Sequence, residues 1–130
     1  MPPRRGILSA VTLMLALASP LSAHHSVSGQ FDTSKPIVLK GTVSKVDWMN
    51  PHVYIYLDVK EADGSVTTWA LSSLPTAMMR KAGLSKDALI GTPGEVVTIN
   101  AVPARDGTKH LGWISKITYA DGHFFLLAGE

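Results

Sequence analysis

Between His52 and Lys60 the chain alternates cleanly. Val53, Ile55, Leu57 and Val59 are apolar, and His52, Tyr54, Tyr56 and Asp58 fall between them. Successive side chains of a strand point to opposite faces, so this pattern predicts a half-buried strand. Ile37–Trp48 is less regular: Ile37, Leu39 and Val43 share one parity, Val46 and Trp48 the other. That change predicts a bulge or bend, with Gly41 as its place, and Asn50-Pro51 then breaks the run. Ser65–Leu71, Glu95–Val102 and His110–Tyr119 read as three further strands. Ala62-Asp63-Gly64 and Asp106-Gly107 mark hairpin turns, and Asp121-Gly122 turns into a short tail, His123–Leu127.

The period changes after the third strand. Leu74, Met78 and Ala82 fall at four-residue spacing and predict one helical face, with Ser72 or Ser73 as its cap, Pro75 in its first turn and Gly83 as its stop. Ser85–Ile90 adds a further helical turn, and Gly91-Thr92-Pro93-Gly94 a tight loop. Three strands, a helix and two strands predict an all-β fold with a small α contribution: an OB-like five-stranded Greek-key barrel with a helix between strands 3 and 4. A helix-capped open antiparallel sheet would give the same string. Residues 37–130 form the single domain. Residues 24–36 are a polar arm, expected to be extended and pinned through Phe31.

Residues 1–23 read as a cleaved export signal. Arg4 and Arg5 precede an apolar run from Ile7 to Ala18, Ser19-Pro20 breaks it, and Leu21-Ser22-Ala23 offers a small-residue cleavage site. The run is short for a membrane-spanning helix, which needs roughly 20 apolar residues. Cleavage after Ala18 and retention as an anchor are the alternatives to the cut after Ala23. Arg4-Arg5 faintly resembles a twin-arginine signal; the flanking residues favour the general secretory route. The expected location is the periplasm.

Composition narrows the picture further. The 130 residues carry a formal net charge of +2 and no cysteine, which excludes disulfides, thiolate metal sites and thiol nucleophiles. Losing residues 1–23 removes two arginines and leaves ten basic against ten acidic side chains, so nothing marks a nucleic-acid footprint. No partner protein is legible, and no membrane association is expected after cleavage.

The sequence resembles an exported bacterial family described as a domain of unknown function. The resemblance rests on His24-His25-Ser26, Phe31-Asp32-Thr33-Ser34-Lys35-Pro36, Gly41-Thr42-Val43 and Trp48-Met49-Asn50-Pro51-His52. It continues through Asp63-Gly64, Trp69, the Pro-led helix, Gly94-Glu95 and Asp106-Gly107. Ser72-Ser73-Leu74 departs from it, where similar proteins carry a glycine-containing turn. The resemblance implies a small β-rich periplasmic protein and supplies no catalytic residues.

Candidate chemistry centres on histidine. After cleavage His24 and His25 become the first two residues. A terminal amine and adjacent imidazoles form a nitrogen-rich chelate that suits Cu(II), with Ni(II) and Zn(II) next. His52, behind Asn50-Pro51, is the first candidate for a third ligand; His110 and His123 are alternatives. Met49, Met78 and Met79 are soft donors for Cu(I), although Met78 reads better as helix packing. The bland alternatives are a solvated terminus and a turn histidine. A second cluster is aromatic. Tyr54, Tyr56 and Trp69 lie on strands 2 and 3, where OB-like barrels bind ligands, while Trp48 and Trp113 read as core or rim packing. The arm or the tail, Phe124–Leu127, could equally cover that cluster.

No G-x-S-x-G, H-E-x-x-H or P-loop pattern occurs, and no carboxylate pair has spacing suited to acid–base work. The leading expectation is a non-catalytic periplasmic binding or accessory protein that takes copper through His24, His25 and His52. One alternative binds a peptide, glycan or small molecule on Tyr54, Tyr56 and Trp69. Another is a copper-dependent redox enzyme with an N-terminal histidine brace.

Overall fold

The computed structural model describes residues 26–127. The expected signal, His24 and His25 lie outside the described residues. A short helix, α1 (Val27–Gln30), leads into β1 (Ile37–Asp47), β2 (Tyr54–Lys60) and β3 (Val66–Ser72). Two short helices follow, α2 (Thr76–Lys81) and α3 (Lys86–Ile90), and then β4 (Val96–Pro103), β5 (Leu111–Thr118) and β6 (Phe124–Leu126).

The sheet runs β3-β2-β1-β4-β5-β6, and β3 also pairs with β5, which closes the first five strands into a barrel. All neighbours are antiparallel except β3 and β5, whose parallel register joins Ala70 to Leu111 and Ser72 to Trp113. The predominantly β class and the five-stranded barrel expected from the pattern are therefore present; the open sheet is not.

Closure depends on β1 serving two partners. Its first half, Ile37–Thr42, pairs with β4, and its second half, Thr42–Asp47, pairs with β2. The bulge lies between Val43 and Lys45, at Ser44 rather than at Gly41, and this corrects the expectation. The extra residue there switches the parity. Gly41 serves a different purpose, since a Cβ at that position would lie 2.2 Å from the Asp58 carbonyl oxygen. Only a residue without a side chain lets the strands cross so closely.

The alternating positions of β2 behave as predicted. Val53, Ile55 and Leu57 are fully buried, Val59 is half-buried against them, and with Ile99, Ile114, Ile117 and Leu127 the first three form the barrel core. Complete burial of one such side chain contributes about 1.5–3 kcal/mol, so this row does much to fix the register.

The helical segment departs from expectation. The buried apolar residues are Leu74, Met79, Leu84 and Leu89, while Met78 is exposed. The four-residue spacing assumed a helix running on from Leu74. Instead α2 starts at Thr76 and stops before Gly83, which takes the left-handed conformation, and α3 starts afresh behind Ser85, whose hydroxyl accepts from the Ala88 amide. Ser72 and Ser73 are not the cap of α2. Ser72 ends β3 and Ser73 follows it; both are buried, and the Ser73 amide bonds the Val53 carbonyl at 2.9 Å.

The arm is pinned through Phe31, as expected, but it is not simply extended: it carries α1. Phe31 is buried, with its ring 5.9 Å from Trp113. The tail also differs from expectation. It forms β6 on β5 instead of covering the tyrosines of β2.

Candidate functional site

The β1–β2 loop explains why Trp48–His52 sits where it does. Most of its contacts grip the connection from β3 into α2 or α2 itself. The Arg80 guanidinium lies 5.8 Å from the Trp48 ring. Asn50 Oδ1 accepts from the Thr76 amide at 3.1 Å and from the Thr76 hydroxyl at 3.0 Å, so a residue 26 positions away caps the helix. Val53 donates to the Leu74 carbonyl and accepts from the Ser73 amide. The orphan amide at a helix start needs an acceptor; the loop delivers one that no local serine supplies. Sequence reading missed this role of Asn50, because a cap from a distant loop leaves no local signature.

His52 belongs to the same clasp and is half-buried. Its Nδ1 lies 2.9 Å from the Ser73 carbonyl oxygen, and its ring meets the edge of Trp113 at 5.6 Å between centroids. A carbonyl oxygen only accepts, so Nδ1 carries the proton and Nε2 keeps its lone pair when the ring is neutral. This is the second-neighbour arrangement that orients metal-binding imidazoles. Beside it, the Ser73 hydroxyl is buried without a partner among the described residues.

The other histidines stand apart. His110 packs on Trp69 at 5.4 Å and holds a positive φ of 55°. It precedes Leu111, whereas His52 contacts Trp113; three residues along a strand is roughly 10 Å. His123 stacks on Tyr119 at 4.4 Å, beyond the other end of β5, and its Nδ1 contacts the Asp121 carboxylate. The Asp121 carboxyl is held below its ordinary value, first by the His123 amide and then by the His123 ring. Among the described residues no three of His, Asp and Glu gather into a metal-ligand set. A three-ligand site at His52 therefore needs residues outside them.

The expected aromatic face divides in two. Cross-strand partners share a face, and Trp69 pairs with Leu57, which points into the barrel, whereas Tyr54 and Tyr56 pair with Ser72 and Ala70 on the opposite parity. Trp69 therefore packs against the core and does not join the tyrosines. One strand's parity was legible; the register that sets the parity of its neighbour was not. Tyr54 and Tyr56 lie 6.5 Å apart, half-buried, with the Lys45 ammonium 5.1 Å from the Tyr56 ring. Lys45 pairs with Asp47 at 2.8 Å. That hydrogen bond holds the Asp47 carboxyl below its ordinary value, while partial burial, together with Asp47, raises the Tyr56 phenol.

Arg105 is a further residue that sequence reading missed. Its Nε donates to the Ser28 carbonyl at 2.9 Å, its guanidinium reaches the Phe31 carbonyl, and its amide bonds Gln30. A lone arginine beside a hairpin turn carries no sign of such a role. It fastens the arm beside Trp113, so Phe31 and His52 contact the same indole.

These features define a class: a small closed β-barrel with a fastened N-terminal arm and one oriented histidine beside the anchor. Residues 12–113 match the family of unknown function DUF6152, and the chain belongs to that family. No curated protein and no solved structure matches the chain significantly.

Proposed function

We propose that the protein is an exported, periplasmic, non-catalytic accessory protein that binds copper through its mature N-terminus. In this reading cleavage after Ala23 frees the amine of His24, and the amine, His24, His25 and the Nε2 of His52 form the ligand set. One observation carries it. The Ser73 carbonyl fixes His52 with Nε2 left to accept, and the Trp113 indole contacts both that ring and Phe31, the arm's anchor. Phe31 is the sixth residue after His25. With one helical turn in between, the reach is roughly 10–15 Å, which is enough to pass an indole. The OB-like reading of the barrel agrees, because the β1–β2 loop is one of the ligand-binding loops of such folds. Nitrogen donors without thiolate favour Cu(II) over softer ions.

The test is Cu(II) titration of the secreted protein, with its starting residue fixed by intact mass. One equivalent of Cu(II) gives a visible d–d band. An extra alanine before His24 abolishes or shifts that band, and His52→Ala, which removes a ligand, weakens binding by at least the roughly 10–100-fold that loss of an outer-shell partner costs. A band indifferent to both changes, or a mature chain that begins elsewhere than His24, overturns the reading. The paired outer tyrosines, Tyr54 and Tyr56 beside Lys45, support a second reading as a stacking surface for a small ligand. Quenching of tyrosine emission by a glycan or peptide panel, lost in Tyr54→Ala, tests it.

A further inference from the structure

Among the described residues most of the large hydrophobic side chains left exposed are not scattered. Val38, Val66, Val96, Phe124 and Leu126 are 51–64% exposed, and the strand register places them on one outer face. Val38 pairs with Asn100, Asn100 with Lys116, and Lys116 with Leu126. In the next row Lys40 pairs with Thr98, Thr98 with Thr118, and Thr118 with Phe124. Their sequence neighbours Leu39, Ile99 and Ile117 point inward, so these two rows point out. Val96 lies opposite Thr42 and Val66 opposite Lys60, which carries the face across the bend of β1.

Lysines punctuate the face. Lys116 Nζ sits 4.3 Å from the Phe124 ring. Where β1 and β2 stop pairing, a recess of about 400 Å³ opens between Lys40 and Lys60, walled by Val66 and Val96. The one carboxylate lining it is Asp58, which accepts from the Thr68 hydroxyl at 2.6 Å and the Ser44 hydroxyl at 3.2 Å.

We propose that this face docks the barrel onto an anionic lipid surface. Three observations select that occupant. The face is the convex outside of a barrel, with apolar side chains protruding singly between lysines, the composition that inserts at a headgroup boundary. The outward residues of its two rows, with Val96, Val66 and Lys60, include no tryptophan, tyrosine or arginine, the anchors of protein interfaces, and three of them are lysines, in which those interfaces are poor. A second copy meeting it symmetrically would set one lysine-bearing face against another, with no acidic side chain in these two rows to offset the charge. Acidic headgroups complement Lys40, Lys60 and Lys116, and the recess between the first two is of headgroup size.

The experiment is co-sedimentation of the purified full chain with phosphatidylcholine vesicles, with and without phosphatidylglycerol, at low and high salt. The expected result is binding to the anionic vesicles that falls with salt. Lys40→Ala and Lys116→Ala should each lower partitioning about fivefold, the factor that corresponds to about 1 kcal/mol per lysine. Leu126→Ser should lower it too, and Lys81→Ala, on α2 away from this face, should leave it unchanged. Circular dichroism checks that each variant is folded. The apolar run near the N-terminus would bind both vesicle types and ignore these substitutions; that outcome overturns the proposal. So does absence of vesicle binding, whether or not the face then captures an acidic protein or a second copy.

Discussion

At the scale of single residues, the clasp around the β3–α2 connection separates ordinary polar contacts from unusual ones. Asn50 supplies both acceptor contacts to Thr76. Removing a cap of this kind costs about 1 kcal/mol. Asn50→Ala is therefore expected to lower the stability by that amount, and Asn50→Asp, which keeps the acceptor, to restore most of it; urea denaturation reads both. Ser73 is the reverse case. Its hydroxyl is buried and unpartnered among the described residues, and an unsatisfied buried group costs about 1–3 kcal/mol. Ser73→Ala is expected to stabilise the fold in the same assay. Destabilisation would show that a group from outside the described residues, or an ordered water, bonds that hydroxyl.

At the scale of elements, the arm and the barrel are joined through few groups. Phe31 supplies the apolar anchor and an isolated bridge to Ala104, and Arg105 holds the backbone of the arm at Ser28, Gln30 and Phe31. None of these contacts belongs to the barrel ladder. Arg105→Ala is therefore expected to raise amide hydrogen exchange in residues 27–31 while exchange in β1, β2 and β4 stays slow. If copper is held as proposed, the same variant weakens Cu(II) binding without removing a ligand. At this scale the strands were legible to within a residue or two, because alternation is a local property of a half-buried strand. The helix face was not: Met79 in place of Met78 follows from where α2 begins, and Asn50, far away in the sequence, helps to set that start.

At the scale of the whole molecule, acid stability follows from the turns. Asp32, Asp63, Asp106 and Asp121 each accept from the residue two positions on, and each carboxyl is held below its ordinary value. For Asp63 and Asp106 the neighbouring hydroxyl is the largest cause, as it is for Asp32; for Asp121 it is the His123 amide. A group whose folded value lies below its unfolded value stabilises the protein above the unfolded value, and that contribution disappears as pH falls through the folded one. The thermal midpoint is therefore expected to hold from neutral pH down to about 4 and to decline below it. Melting curves across that range check the sign; a midpoint that rises on acidification contradicts it.

Strand positions, turns, the Phe31 anchor and a predominantly β barrel followed from the sequence alone, because side-chain period, glycine placement and apolar spacing act over a few residues. Tertiary structure decided which faces meet. It turned Trp69 inward while Tyr54 and Tyr56 face out, placed the bulge at Ser44, made Asn50 a helix cap and set His52 on the indole that anchors the arm. Each of these depends on cross-strand register and on the closure of β3 against β5. Those are fixed by contacts between residues far apart in the chain, and the spacing of residues within one segment carries no record of them.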